Sequence, residues 1–165
     1  MPIERVVVNA SPLIVLFKSQ QADLLAELFS EIVVPGAVWE EIIAAGKTDA
    51  AAHQLPTVAW ARRVEISTIA PEILAWGLDA GESEVLSFAL NDSGYRAMVD
   101  DAAARRCART LGISTLGTGG ALVLAKRRGL IPSISPAIQA LRDSGLWLSE
   151  EVVNLLKQQA GEDTE

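Results

Sequence analysis

Arg5-Val6-Val7-Val8-Asn9-Ala10-Ser11-Pro12-Leu13-Ile14 decides how the rest of the chain is read. Its first half is short, β-branched and continuously apolar, the pattern of a strand buried on both faces. Ser11 followed by Pro12 reads as a helix N-cap with proline at the first helical position. A buried strand running straight into a capped helix is the opening of an alternating α/β chain.

Outward from that stretch the alternation continues. Leu13 to Lys18 and Asp23 to Ser30 have helical periodicity, and Glu31-Ile32-Val33-Val34 is a second short strand closed by Pro35. Gly36 to Ala45 is an amphipathic helix stopped by Gly46. Thr48 to Arg63 is ambiguous: its alanines favour helix, but Pro56 interrupts them, and Val64-Glu65-Ile66 has strand character. Leu78 to Asn91 is a helix and Tyr95 to Val99 a strand. Asp101 to Leu111 is helical, Ile113 to Leu116 a strand, and Gly119 to Arg128 a helix ended by Gly129. Pro136 to Asp143 and Ser149 to Gln159 are the last helices. Strands alternating with helices predict an α/β fold with a mainly parallel sheet. One domain over residues 1–160 is expected, with 161–165 a disordered tail.

Composition removes several function classes. The 165 residues are 50% hydrophobic and 21% charged, which suits a globular domain. A net charge of −7 argues against nucleic-acid binding through a bulk positive field. It does not exclude a nuclease whose metal ions supply local positive charge. The single cysteine, Cys107, rules out an intramolecular disulfide and a Cys-rich zinc site, and the single histidine, His53, rules out two-histidine zinc motifs. No apolar run is long enough to span a membrane, and Met1 to Arg5 shows no signal-peptide core. A cytoplasmic protein is expected.

In parallel sheets ligands gather beyond the carboxyl ends of the strands. Asn9 and the pair Asp100–Asp101 fall there. Glu82 points along the middle of a stripe made by Leu78, Val85, Leu86 and Ala89, whereas Glu84 points away as a surface glutamate would. A carboxylate aimed at a core is rare unless paired or metal-bound; Asp79-x-x-Glu82 also fits a capping box, and the two readings are even. Glu41 lies at the border of a stripe made by Val38, Ile42 and Ala45, and by itself suits a solvated helix shoulder. Asp100 and Asp101 suit either an N-cap or a pair of metal ligands. Asn9 and Ser11 suit an Asx turn or a place in the crevice. Gly117-Thr118-Gly119-Gly120, between a strand and a helix, suggests an anion-binding turn, without the lysine of a P-loop. His53 reads as a surface or interface residue and Cys107 as a small buried hydrophobe.

Together these pieces resemble the PIN-domain family, especially its prokaryotic toxin-like branch related to VapC. The resemblance lies in 6–14, Val34-Pro35-Gly36-Ala37-Val38-Trp39-Glu40-Glu41-Ile42, and Leu78-Asp79-Ala80-Gly81-Glu82-Ser83-Glu84-Val85-Leu86. It continues in Val99-Asp100-Asp101-Ala102-Ala103-Ala104-Arg105-Arg106 and Leu111-Gly112-Ile113-Ser114-Thr115-Leu116-Gly117-Thr118. The resemblance implies a Rossmann-like, three-layer fold and hydrolysis of RNA with one or two Mg²⁺ or Mn²⁺ ions. It also implies a small antitoxin partner and a homodimer. By position Asn9, Glu41, Glu82 and Asp101 take the metal-ligand places, with Asp100 a ligand or water orienter; Glu41, Glu82, Asp100 and Asp101 are the catalytic set. Ser11, Arg105, Arg109 and Thr118 are expected at the substrate. Arg105, Arg106 and Arg109 share the outward face of their helix, and Lys126, Arg127 and Arg128 form a second basic cluster that also suits a helix C-terminus. Asn9 stands where many members carry aspartate, which keeps a catalytically impaired, partner-binding module as the alternative. A phosphatase for small phosphoesters is a further rival, for which no lid is evident.

Overall fold

A computed structural model describes residues 4–46 and 48–162. The chain opens with β1 (Arg5–Val8), α1 (Ala10–Lys18), α2 (Asp23–Leu28), β2 (Glu31–Pro35) and α3 (Gly36–Ile43). Next come α4 (Ala50–Gln54), a 3-10 turn (Leu55–Thr57), β3 (Ala61–Val64), α5 (Pro71–Leu74) and α6 (Ala80–Asn91). The chain continues through β4 (Tyr95–Met98), α7 (Ala102–Thr110), β5 (Thr115–Leu116), α8 (Thr118–Arg127), α9 (Ile134–Asp143) and α10 (Glu150–Gln159). The five strands form one parallel sheet in the order β3-β2-β1-β4-β5, flanked by helices. The α/β fold class expected from the alternation is the one observed.

β1 is central, paired with β2 on one side and β4 on the other, and its Val6, Val7 and Val8 are fully buried. Val7 aligns with Val33 of β2 on one side and Ala97 of β4 on the other. Strand order reverses between β1 and β4, which opens a crevice beyond their carboxyl ends. Asn9 follows β1 there, and Asp100 lies just past β4.

Several boundaries differ from expectation. α1 begins at Ala10, so Asn9 and not Ser11 occupies the N-cap position. The cause is the sheet: the Asn9 N–H donates to the Met98 carbonyl at 3.0 Å, so β1 passes into α1 with no linker. β3 lies at Ala61–Val64 instead of 64–66, because Ile32 pairs with Ala61 and Pro35 with Val64. Exposed Arg62 and Arg63 on this edge strand hide its strand pattern. The four-residue α5, with Pro71 in its first turn, had no periodicity to announce it. α9 starts at Ile134 with Ser133 as cap, which leaves Pro136 in the first turn, where it sacrifices no helical hydrogen bond. At the expected tail, Glu162 is tied down: its Oε2 accepts from the Ile134 N–H at 2.6 Å and its Oε1 from the Ser133 hydroxyl at 3.0 Å. The rest of that tail, 163–165, and the first three residues lie outside the described residues. Among the described residues no helix is long and apolar enough to cross a membrane.

Candidate active site

α6 carries the site because of what Gly81 lacks. A methyl group at Gly81 would lie 3.2 Å from Asn9 Oδ1, 3.3 Å from Val38 and 3.4 Å from Glu41 Oε1. With glycine there, the first turn of α6 closes onto the end of β1 and the side of α3. Asp79 caps that turn, its Oδ1 accepting from the Glu82 N–H at 2.8 Å. Asn9, Glu41 and Glu82 therefore meet at the crevice, brought from positions far apart in the chain.

Asn9 is 5% exposed and its Oδ1 has no hydrogen-bond partner. Its side chain makes no capping bond to α1, so the Asx-turn reading fails. A buried acceptor left unpaired costs about 1–3 kcal/mol. This one lies with Glu41 Oε1 against Gly81.

The charges around it are compressed. Glu82 is half-buried and its carboxyl is pushed up to about 7, first by burial and then by the charges of Asp79, Asp101 and Glu41. The Asp79 backbone opposes the rise, and the cap that Asp79 makes to the Glu82 N–H stands beside the acidic cluster. Glu41 is exposed, with its Oε1 against Gly81. Burial there, then the Asp79 charge, raises it above the ordinary carboxylate range. Asp79 thus belongs to the cluster, although its spacing from Glu82 signalled only a cap.

Asp100 and Asp101 divide the two duties open to them. Asp101 caps α7, its Oδ2 accepting from the Ala104 N–H at 3.0 Å, while its exposed charge acts on Glu82. Asp100 accepts from the Thr118 N–H at 2.8 Å and the Thr118 hydroxyl at 2.6 Å. The anion-binding turn expected at 117–120 is therefore filled by the chain's own carboxylate. Thr118 is fully buried and orients Asp100; it offers no surface to a substrate. Ser11 is exposed in the first turn of α1.

Among the cations, Arg105 does not project outward as expected. It is half-buried, its Nη1 donates to the Val99 carbonyl at 3.3 Å, and it passes over Gly117, where a methyl group would stand 2.8 Å from Nη1. Arg106 and Arg109 are exposed on α7. The second basic cluster serves the fold: Arg127 donates to the Gln159 carbonyl, Arg128 to the Leu28 carbonyl, and Lys126 lies 3.9 Å from Glu162. Glu84 is not a plain surface residue, because its Oε1 accepts from the Ala37 N–H at 3.0 Å and so caps α3, the helix of Glu41. His53 is exposed and Cys107 buried, as expected.

Among the described residues no three histidine, cysteine, aspartate or glutamate side chains stand together as a ready metal site. The donors that do converge are all oxygens, one of them the unpartnered carbonyl of Asn9. That chemistry fits a hard divalent cation, which keeps several waters and needs few protein ligands. It does not fit a soft metal.

No curated protein matches the chain. The family DUF3368, described as a PIN domain, matches residues 5–162, which takes in every strand and every residue of the crevice. PIN domains are generally nucleases, that is, hydrolases. With its parallel sheet, its acidic crevice and this match along nearly its whole length, the chain belongs to the PIN-domain family.

Proposed function

We propose that this PIN domain is a divalent-metal-dependent endoribonuclease, using Mg²⁺ or Mn²⁺ to hydrolyse RNA phosphodiester bonds, and that it is the toxin of a toxin–antitoxin pair. The observation that carries the metal is Asn9 Oδ1, buried and unpartnered beside Glu41. Asn9, Glu41, Glu82 and Asp101 would hold the ion. When bound, it supplies an activated water and charge to stabilise the leaving oxygen. Around it, Asp79 holds the first turn of α6, Thr118 fixes Asp100, and Asp100 braces the chain before Asp101. Arg105 and Arg109 are the phosphate contacts in this reading. The toxin role, a small antitoxin and a homodimer rest on the motif resemblance to the VapC-like branch.

The test is cleavage of single-stranded RNA with and without EDTA, alongside Glu82→Gln. Loss of cleavage in both is expected. A second reading, a protein-binding module that has lost catalysis, is favoured by the neutral Asn9 and the lack of three clustered carboxylate, histidine or cysteine side chains among the described residues. Calorimetry with Mn²⁺ separates them, since the module would give no binding heat at millimolar metal.

A further inference from the structure

The connection from α5 into α6 is apolar, exposed and firmly held, and it leads into the acidic crevice. Leu74 is 61% exposed and Trp76 37%. Fully buried Ile73 anchors α5 beneath them, and the Ala70 N–H donates to the Ser87 hydroxyl at 3.0 Å, pinning the start of α5 to the middle of α6. From there α5 runs back along α6 toward its N-terminal end. Gly77, at φ 65°, makes the turn, and Asp79 follows. Trp76 precedes Asp79 by three positions, which limits their Cα separation to ~11 Å. The first turn of α6 is the one that meets Asn9 and Glu41.

We infer that Trp76, with Leu74 beside it, is a shelf on which a base of single-stranded RNA stacks next to the phosphate at the crevice. This rests on the ribonuclease reading. With its Cα tethered within ~11 Å of that of Asp79, the indole can reach a base whose phosphate is held at the crevice. Asp79, Glu41, Glu82 and Asp101 repel a second phosphate, so the part of a nucleotide that suits this side is its uncharged face. Proteins that bind single strands use aromatic side chains in this way, and the ring costs little ordering because the connection beneath it is already fixed.

The experiment measures binding of a short single-stranded RNA to the full chain with Ca²⁺ in place of Mg²⁺, comparing wild type with Trp76→Ala, Trp76→Leu and Trp76→Phe. Stacking contributes about 1–3 kcal/mol per base, so Trp76→Ala is expected to weaken binding by at least about fivefold. Trp76→Leu keeps an apolar side chain without a ring and should lose about as much, whereas Trp76→Phe should retain most of the affinity. Thermal melting of each variant confirms that the fold persists. Wild-type affinity in Trp76→Leu would overturn the stacking role. So would a change in sedimentation of Trp76→Ala with RNA affinity intact, which would make the shelf a protein contact. If wild type binds no RNA, the ribonuclease reading itself fails, and the inference with it.

Discussion

Asn9 presents a buried oxygen to a crevice whose other members are negative, and a cation is the simplest partner for it. Asn9→Asp places a full charge at that atom. Affinity for Mn²⁺ is expected to rise, by up to about 1.5–3 kcal/mol for one charge-assisted contact, less the repulsion from Glu41 and Glu82. The same repulsion should lower the melting temperature of the metal-free variant. Equal Mn²⁺ affinities in calorimetry would place Asn9 outside the metal shell. Glu82 makes a second prediction. Its carboxyl ionises near 7 in the folded chain against 4.5 ordinarily, so between those values the folded state holds a proton that the unfolded state has released. Its contribution to stability is therefore complete below about 4.5 and is lost as pH rises through about 7. Thermal melts in EDTA should show stability declining over that window, with Glu82→Gln flattening the decline. Protons and metal compete for the same oxygens, so Mn²⁺ affinity should move the opposite way and rise with pH.

Elements bring these residues together by their ends. The first turn of α6 reaches the crevice because Gly81 is small and Asp79 caps it, and the same Asp79 charge raises both Glu41 and Glu82. Asparagine caps helices about as well as aspartate. Asp79→Asn should therefore leave stability nearly unchanged while moving the pH midpoint of Mn²⁺ binding downward; an unmoved midpoint would remove Asp79 from the cluster. At the other wall, Thr118 holds Asp100 with its N–H and its hydroxyl. Thr118→Val deletes a hydrogen bond to a charged group, and urea unfolding should show a loss of about 1.5–3 kcal/mol. The periodicity of residues 78–91 exposed α6 and the place of Glu82, since an acid within an apolar stripe stands out. It concealed Ser87 and Glu84, because α6 is buried on more than one side and these polar residues bond to neighbouring elements. Such bonds depend on partners remote in sequence, and no local pattern announces them.

At the scale of the whole molecule, the valines of β1 and the regular alternation made the parallel sheet legible, along with the crevice at Asn9 and Asp100. The edge strand was misplaced, since Arg62 and Arg63 face solvent and only pairing with β2 fixes its register. The basic residues divided in a way that the sequence did not foretell: Arg127 and Arg128 are spent on backbone carbonyls, Arg105 turns inward, and Arg106 and Arg109 remain exposed. Arg109→Ala should thus weaken RNA binding and flatten its salt dependence without lowering stability, whereas Arg105→Ala should reduce both binding and stability. For a chain of net charge −7, such contacts must be local, and in the proposed reading a divalent cation held at the crevice would offset the repulsion between RNA and the acidic cluster. The most direct test is therefore cleavage of a single-stranded RNA by wild type and Glu82→Gln, with Mn²⁺ and with EDTA. Cleavage by wild type with Mn²⁺ alone is the predicted result; cleavage that survives EDTA, or that Glu82→Gln performs as well as wild type, would contradict the account.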